Sequence, residues 1–168
     1  MPVHETRRLK LIPFSLELKK AALTDKDRLA ELLGVRVPDS WPGLDMAEAL
    51  PFFIAEMEKH ADAPVWDGII IHKEDNIVIG DMGFKSGPDE YGRVEIGYSI
   101  IPEYRNQGYA TEMACHLIAW AWQQPGVTSV VAECLDNNLG SIKVLEKVGM
   151  RRLPPEGNLL RWEARKEL

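Results

Sequence analysis

An α+β fold is predicted by three features of the sequence. Val65 to Ile101 reads as three alternating strands joined by short polar turns; an apolar helical stripe follows at once over Gly108 to Trp122; and strand and helix patterns then alternate to the end. No repeat, low-complexity tract or linker interrupts this order over the 168 residues, so one domain spanning 1–168 is expected.

Leu9 and Leu11 alternate with Lys10 before Pro13, which predicts a short strand over Arg8 to Pro13 at a sheet edge. Leucines at 16, 18, 23, 29, 32 and 33 predict one or two helices between Ser15 and Gly34, with Thr24 and Asp27 as an N-cap pair and Gly34 as the stop. Pro38, Trp41, Pro42 and Gly43 make a loop. Asp45 and Glu48 then open a helix through Met57, which Pro51 is expected to kink or to delay.

The next strands are Val65 to His72, Ile77 to Phe84 and Arg93 to Ile101, an antiparallel meander by the shortness of its turns. Ala110, Met113, Ala114, Leu117, Ile118 and Ala121 share one helical face, and Pro125-Gly126 ends that helix. A strand over Val127 to Leu135, a helix over Asn138 to Val148 capped by Gly149, and a last strand over Leu159 to Lys166 complete the chain.

Twenty Lys and Arg against 26 Asp and Glu give a formal charge of -6. A chain with that deficit of cations lacks the basic face that nucleic acid or an anionic membrane would need. Hydrophobic residues make up 45% and charged ones 27%, a composition that can bury a core and is not that of a disordered chain. Two cysteines, Cys115 and Cys134, are too few for a disulfide framework and lack zinc spacing, as do His4, His60 and His72, so no metal is expected. Both cysteines are expected to be small buried hydrophobes, and His116 a partly exposed structural residue. With no leader or apolar span, a reducing cytoplasm is the expected setting.

Chemistry concentrates where the third meander strand meets the amphipathic helix, at Ile100-Ile101-Pro-Glu-Tyr-Arg105-Asn106-Gln107-Gly108-Tyr109-Ala110. A helix N-terminus presents unpaired N–H groups and a partial positive charge, so a phosphate could sit there with Arg105 beside it. The segment is neither a P-loop nor a dinucleotide fingerprint, and a plain strand-to-helix turn that needs a glycine remains the alternative.

Arg105 to Ala110 resembles the Arg/Gln-x-x-Gly-x-Gly/Ala signature of GCN5-related N-acetyltransferases, the GNAT family. Gly97-Tyr98 to Ile101-Pro102, Asn138-x-x-Ser141 with Val144 to Met150, and the entry Thr6-x-Arg8-Leu9 are similar to segments of its ribosomal-protein-alanine-acetyltransferase-like (RimJ/RimL-type) branch. The resemblance implies the GNAT fold: a mixed, mostly antiparallel sheet with flanking helices, in which a parallel strand pair, here Arg93 to Ile101 and Val127 to Leu135, splays apart. It further implies transfer of acetyl from acetyl-CoA to a primary amine, a small molecule or a protein N-terminus, in a ternary complex. Asn106 to Ala110 would hold the pyrophosphate, main-chain groups at Ile100 and Ile101 the pantetheine arm, and Asn138 its other wall. Many relatives pair as homodimers.

Amine attack needs a base, an oxyanion donor and an acid for the departing thiolate. Glu95 is the candidate base or positioning residue, as the only carboxylate within its apolar strand; a surface pair with Arg93 is its alternative. Many relatives carry a tyrosine where this chain has Leu145, so Ser141 is the candidate acid, unless it only caps a helix with Asn138; Tyr98 and Tyr104 are possible substitutes. Tyr98 and Trp41, the latter between two prolines in a loop, are the candidate acceptor contacts. Leu145 and the lack of an unambiguous base suggest a second reading, a degenerate acyl-CoA-binding sensor or scaffold.

Overall fold

The computed structural model describes residues 1–167, which contain eight strands and five α-helices in two compact units. The first unit comprises Met1–Asp81 and Ser99–Arg105, and the second comprises Met82–Tyr98 and the chain from Asn106 onward.

In the first unit, β1 (His4–Glu5), β2 (Leu9–Pro13), β3 (Asp67–His72) and the opening residues of β4 (Ile77–Phe84) are hydrogen-bonded in that order. The strand at Leu9–Pro13 is therefore interior, contrary to the edge expected: it pairs with β1 through His4 and Glu5 and with β3 from Leu9↔His72 to Pro13↔Gly68. The two-residue β1 carries too little pattern to be legible in the sequence, and Pro13, last in its strand, withholds no N–H from the middle of the ladder.

Three helices keep to the pattern with local differences. Ser15 caps α1 (Leu16–Thr24) by accepting from the Leu18 N–H, and Asp25, not the Thr24/Asp27 pair, caps α2 (Lys26–Leu33) by accepting from the Arg28 N–H. Asp25 serves both as the end of one helix and the start of the next, a role the spacing alone does not reveal. Helix α3 (Leu44–Lys59) starts at Leu44 and contains Pro51, so its start is not delayed. Pro51 is exposed, where the carbonyl it leaves unbonded can meet water.

In the second unit the order is β4, β5 (Arg93–Ile100), β6 (Ser129–Leu135), β8 (Leu159–Arg165) and β7 (Arg151–Glu156). Helix α4 (Tyr109–Ala121) is the crossover that makes β5 and β6 parallel, and its buried stripe of Met113, Ala114, Leu117 and Ala121 is the one read from the sequence. Helix α5 (Leu139–Lys147) leads into β7, a strand not anticipated because Pro154 and Pro155 interrupt its pattern. It is tolerated as the outer strand of an antiparallel hairpin with β8, with a register shift between Leu153 and Glu156. Cys134 is buried as expected, whereas Cys115 is exposed, because it falls between the buried positions of α4.

Candidate functional site

The parallel strands β5 and β6 share only three rungs, Arg93↔Ser129, Val94↔Val130 and Glu95↔Val131. Beyond them β6 stays bound to β8 along its whole length, to Leu135↔Leu159, while β5 runs on to Ile100. A fork therefore opens just past Glu95. Gly97 is the next residue on that face of β5, and a Cβ built there would meet nothing within 4 Å.

Alternation decides which backbone groups face the fork. The Glu95 carbonyl accepts from the Lys85 N–H just past β4, and the Ile101 N–H donates to the Ile79 carbonyl, so odd-numbered residues of this strand turn their backbone groups to the side of β4. The even-numbered Ile96 and Tyr98 turn theirs toward the side of β6. Ile101, expected to pair with a pantetheine arm, is on the wrong phase: its N–H is used on Ile79 and its carbonyl accepts from Tyr104. Ile100 shares the phase of Tyr98, and its carbonyl is taken by the Arg105 Nε at 2.7 Å.

Helix α4 begins at Tyr109 with Gly108 as its N-cap and no side-chain capping bond. Asn106 (φ 61°) and Gly108 (φ 84°) are left-handed on either side of the exposed Gln107, a backbone turn that gathers successive N–H groups on one side as an anion cradle. Tyr109 is buried at the start of the helix and Ala110 keeps the first turn uncrowded. Arg105 is exposed, and apart from its Nε bond its guanidinium has no partner among the described residues. The backbone, the helix dipole and this cation together suit a pyrophosphate.

On α5, Asn138 caps the helix by accepting from the Ser141 N–H at 3.1 Å, which leaves its amide NH₂ as a donor. Facing Ser141 is Tyr98. Its hydroxyl is sealed from solvent and lacks a hydrogen-bond partner. Burial pushes the phenol pKa up; Ser141 lies near enough to pull it back without completing a well-formed bond, and Cys134 of β6 adds to the rise. Tyr98 is thus a protonated donor at neutral pH with nothing to donate to. Leu145, where relatives carry tyrosine, is buried on the same helix.

Glu95 points to the opposite face of β5, into a cavity of about 260 Å³ lined by Lys85, Arg93, Val131, Glu133 and Arg161 among others. Its partner is Lys85, not the Arg93 considered from sequence; Arg93 instead donates to Asp89 at 2.9 Å.

The first unit holds a separate buried network. Trp41, expected as an acceptor wall, has no exposed surface; its indole N–H donates to Asp81 Oδ2 at 2.9 Å, and the Ser99 hydroxyl donates to the same oxygen at 3.1 Å. Flanked by Pro38 and Pro42, the ring is part of the core and orients a carboxylate instead of lining a pocket. Burial pushes Asp81 up to about 6 against those two hydrogen bonds, with Asp67 adding to the rise and Lys19 opposing it. Lys19, itself buried, bonds Asp67 at 3.0 Å and the Phe14 carbonyl at 2.7 Å; burial lowers its pKa and raises that of Asp67, each partner opposing the other's shift. Asp81 was findable, since it is the only carboxylate in the apolar run Ile77 to Phe84, the same signal that singled out Glu95. No group of three His, Cys, Asp or Glu that could hold a metal occurs among the described residues, and no helix there is long and apolar enough to cross a membrane.

A family model described as an acetyltransferase (GNAT) domain matches residues 8–151. An uncharacterized N-acetyltransferase of Bacillus subtilis, YjdG, is 37% identical over 150 residues, 89% of each chain. The solved ribosomal-protein-S5-alanine acetyltransferase of Vibrio fischeri superposes with a TM-score of 0.67 at 15% identity, covering 98% of this chain and 97% of that one. The microcin C7 self-immunity acetyltransferase MccE, solved with acetyl-CoA and AMP, gives 0.63 at 12%, covering 96% and 94%.

Proposed function

The chain belongs to the GNAT acetyltransferase family, and from that premise we propose that it moves acetyl from acetyl-CoA to a primary amine by direct attack in a ternary complex, as one catalytic domain over residues 1–168. The observation that carries this reading is the fork past Glu95↔Val131, an open strand edge beside a helix N-terminus without a side-chain cap. An extended pantetheine arm would add to that edge through the backbone of Ile96 and Tyr98, with its pyrophosphate on Asn106 to Ala110 and Arg105, and the Asn138 amide on its far side.

Each chemical demand then has a residue. The backbone N–H of Tyr98, on the fork side, polarises the thioester carbonyl and holds the developing oxyanion. Glu95 acts through water to take the ammonium proton, since its pairing with Lys85 holds the carboxylate in place. Ser141 and the Tyr98 hydroxyl supply the proton to the departing thiolate, the role left vacant at Leu145. Reliance on free acetyl-CoA makes a cytoplasmic setting part of the reading.

The test is acetyl-CoA-dependent thiol release over a panel of amines and peptides. Glu95→Gln is expected to lower turnover without weakening CoA binding. Leu145 and the Lys85 partner of Glu95 favour the alternative, an acyl-CoA-binding module without turnover; CoA protection against heat with no thiol release would establish that reading instead.

A further inference from the structure

Glu133 lies on β6 two residues past Val131, hence on the same face of the sheet and on the face of Glu95. Continuing the parallel register places it across the fork from Gly97, the residue with open space where a side chain would begin. It lines the cavity that also holds Glu95.

The charges around it are already matched. Lys85 holds Glu95, Arg93 holds Asp89, and Arg161, directly opposite Glu133 on β8, pairs with Glu156 at 3.5 Å. The Glu133 side chain is exposed and has neither an ion pair nor a hydrogen bond among the described residues. The lining holds three cations and three carboxylates, and of these carboxylates only Glu133 is left without a side-chain partner, because Arg161 turns to Glu156 outside the lining; it sits at the mouth of the fork, beside the apolar surfaces of Val131 and Leu153.

We propose that Glu133 receives the ammonium group of the acceptor and makes that acceptor a small alkyl or arylalkyl amine with no carboxylate beside its nitrogen. This rests on the acetyl-transfer reading above. A bound ammonium would lie between Glu133 and Glu95, next to the bare Gly97 backbone, while an α-carboxylate would face two carboxylates with every neighbouring cation engaged. A cavity of about 260 Å³ has room for a few carbons beyond the nitrogen.

The test uses matched pairs, 2-phenylethylamine against phenylalanine and 1,4-diaminobutane against ornithine, with an alanyl peptide as a third arm. Wild type is expected to prefer each decarboxylated member by about tenfold or more in kcat/KM. Glu133→Gln, a surface change that spares the fold, is expected to raise the amine KM about tenfold, to leave kcat within about twofold and to narrow the preference. Calorimetric titration of 1,4-diaminobutane into the CoA complex supplies a readout independent of turnover, with Kd weakened by Glu133→Gln. Unchanged KM and Kd in the variant, preference for the amino acids or the peptide, or no amine binding to the CoA complex would overturn the proposal. Glu133-dependent amine binding without thiol release would uphold it and remove only the acetyl-transfer reading.

Discussion

Glu95 on β5 lies directly opposite Val131 on β6, and that pair is the last rung the two strands share. In the proposed reaction the donor side depends on how each strand continues past that rung: β5 goes on through the open Gly97, and β6 stays with β8 instead.

Gly97→Ala separates that role from folding. The added methyl meets open space, and replacing a strand glycine relieves an entropic penalty of about 0.5–1 kcal/mol, so the melting temperature is expected to stay level or rise. CoA affinity, measured by calorimetry, is expected to fall about tenfold, because the methyl occupies the fork.

Tyr98→Phe removes a buried hydroxyl that has no partner. Stability of the free protein is expected to hold or to increase by up to about 1 kcal/mol, the reverse of what deleting a bonded hydroxyl does. Turnover is expected to drop by about 10- to 100-fold with CoA binding retained. A stability loss in chemical denaturation would mean that the hydroxyl is bonded in the fold.

Gly108→Ala forces a residue with a Cβ into φ 84° at the start of α4. The cost is about 1–2 kcal/mol, which lowers the melting temperature of a chain this size by several degrees. Thermal protection by CoA is expected to shrink further than this, since the proposed pyrophosphate cradle is distorted along with the turn.

Asp81→Asn probes the buried network. Burial raises the carboxyl from 3.8 to about 6, so the folded chain binds the proton more tightly than the unfolded one. The stability linked to that proton is present below about pH 4 and is lost as the pH climbs through 6. Asparagine keeps an acceptor for Trp41 and Ser99 but does not ionise. Between pH 4 and 6.5 wild type is therefore expected to lose about 2 kcal/mol relative to the variant in urea melts. Parallel pH curves for the two proteins would contradict this.

Distance along the chain separates the legible elements from the hidden ones. The stripe of α4, the glycine turn before it and the cap of α5 at Asn138 are local, each set by residues within a turn or two of one another, and all were legible. Strand β7 was hidden because Pro154 and Pro155 weaken its own pattern while its pairing partner supplies the stability. Trp41 was misplaced because its indole N–H is satisfied by Asp81, forty residues away.

By itself, then, the sequence determined the family and the order of every strand and α-helix except β1 and β7, because motifs and periodicities act over short stretches of chain. Only the tertiary structure decided that Tyr98 and not Ile101 faces the fork, that Glu95 is held by Lys85, and that Glu133 is left without a partner among the described residues. Those outcomes depend on strand register, where a shift of one residue reverses every face, and on which charges the fold brings within reach of one another; neither is written in any one segment.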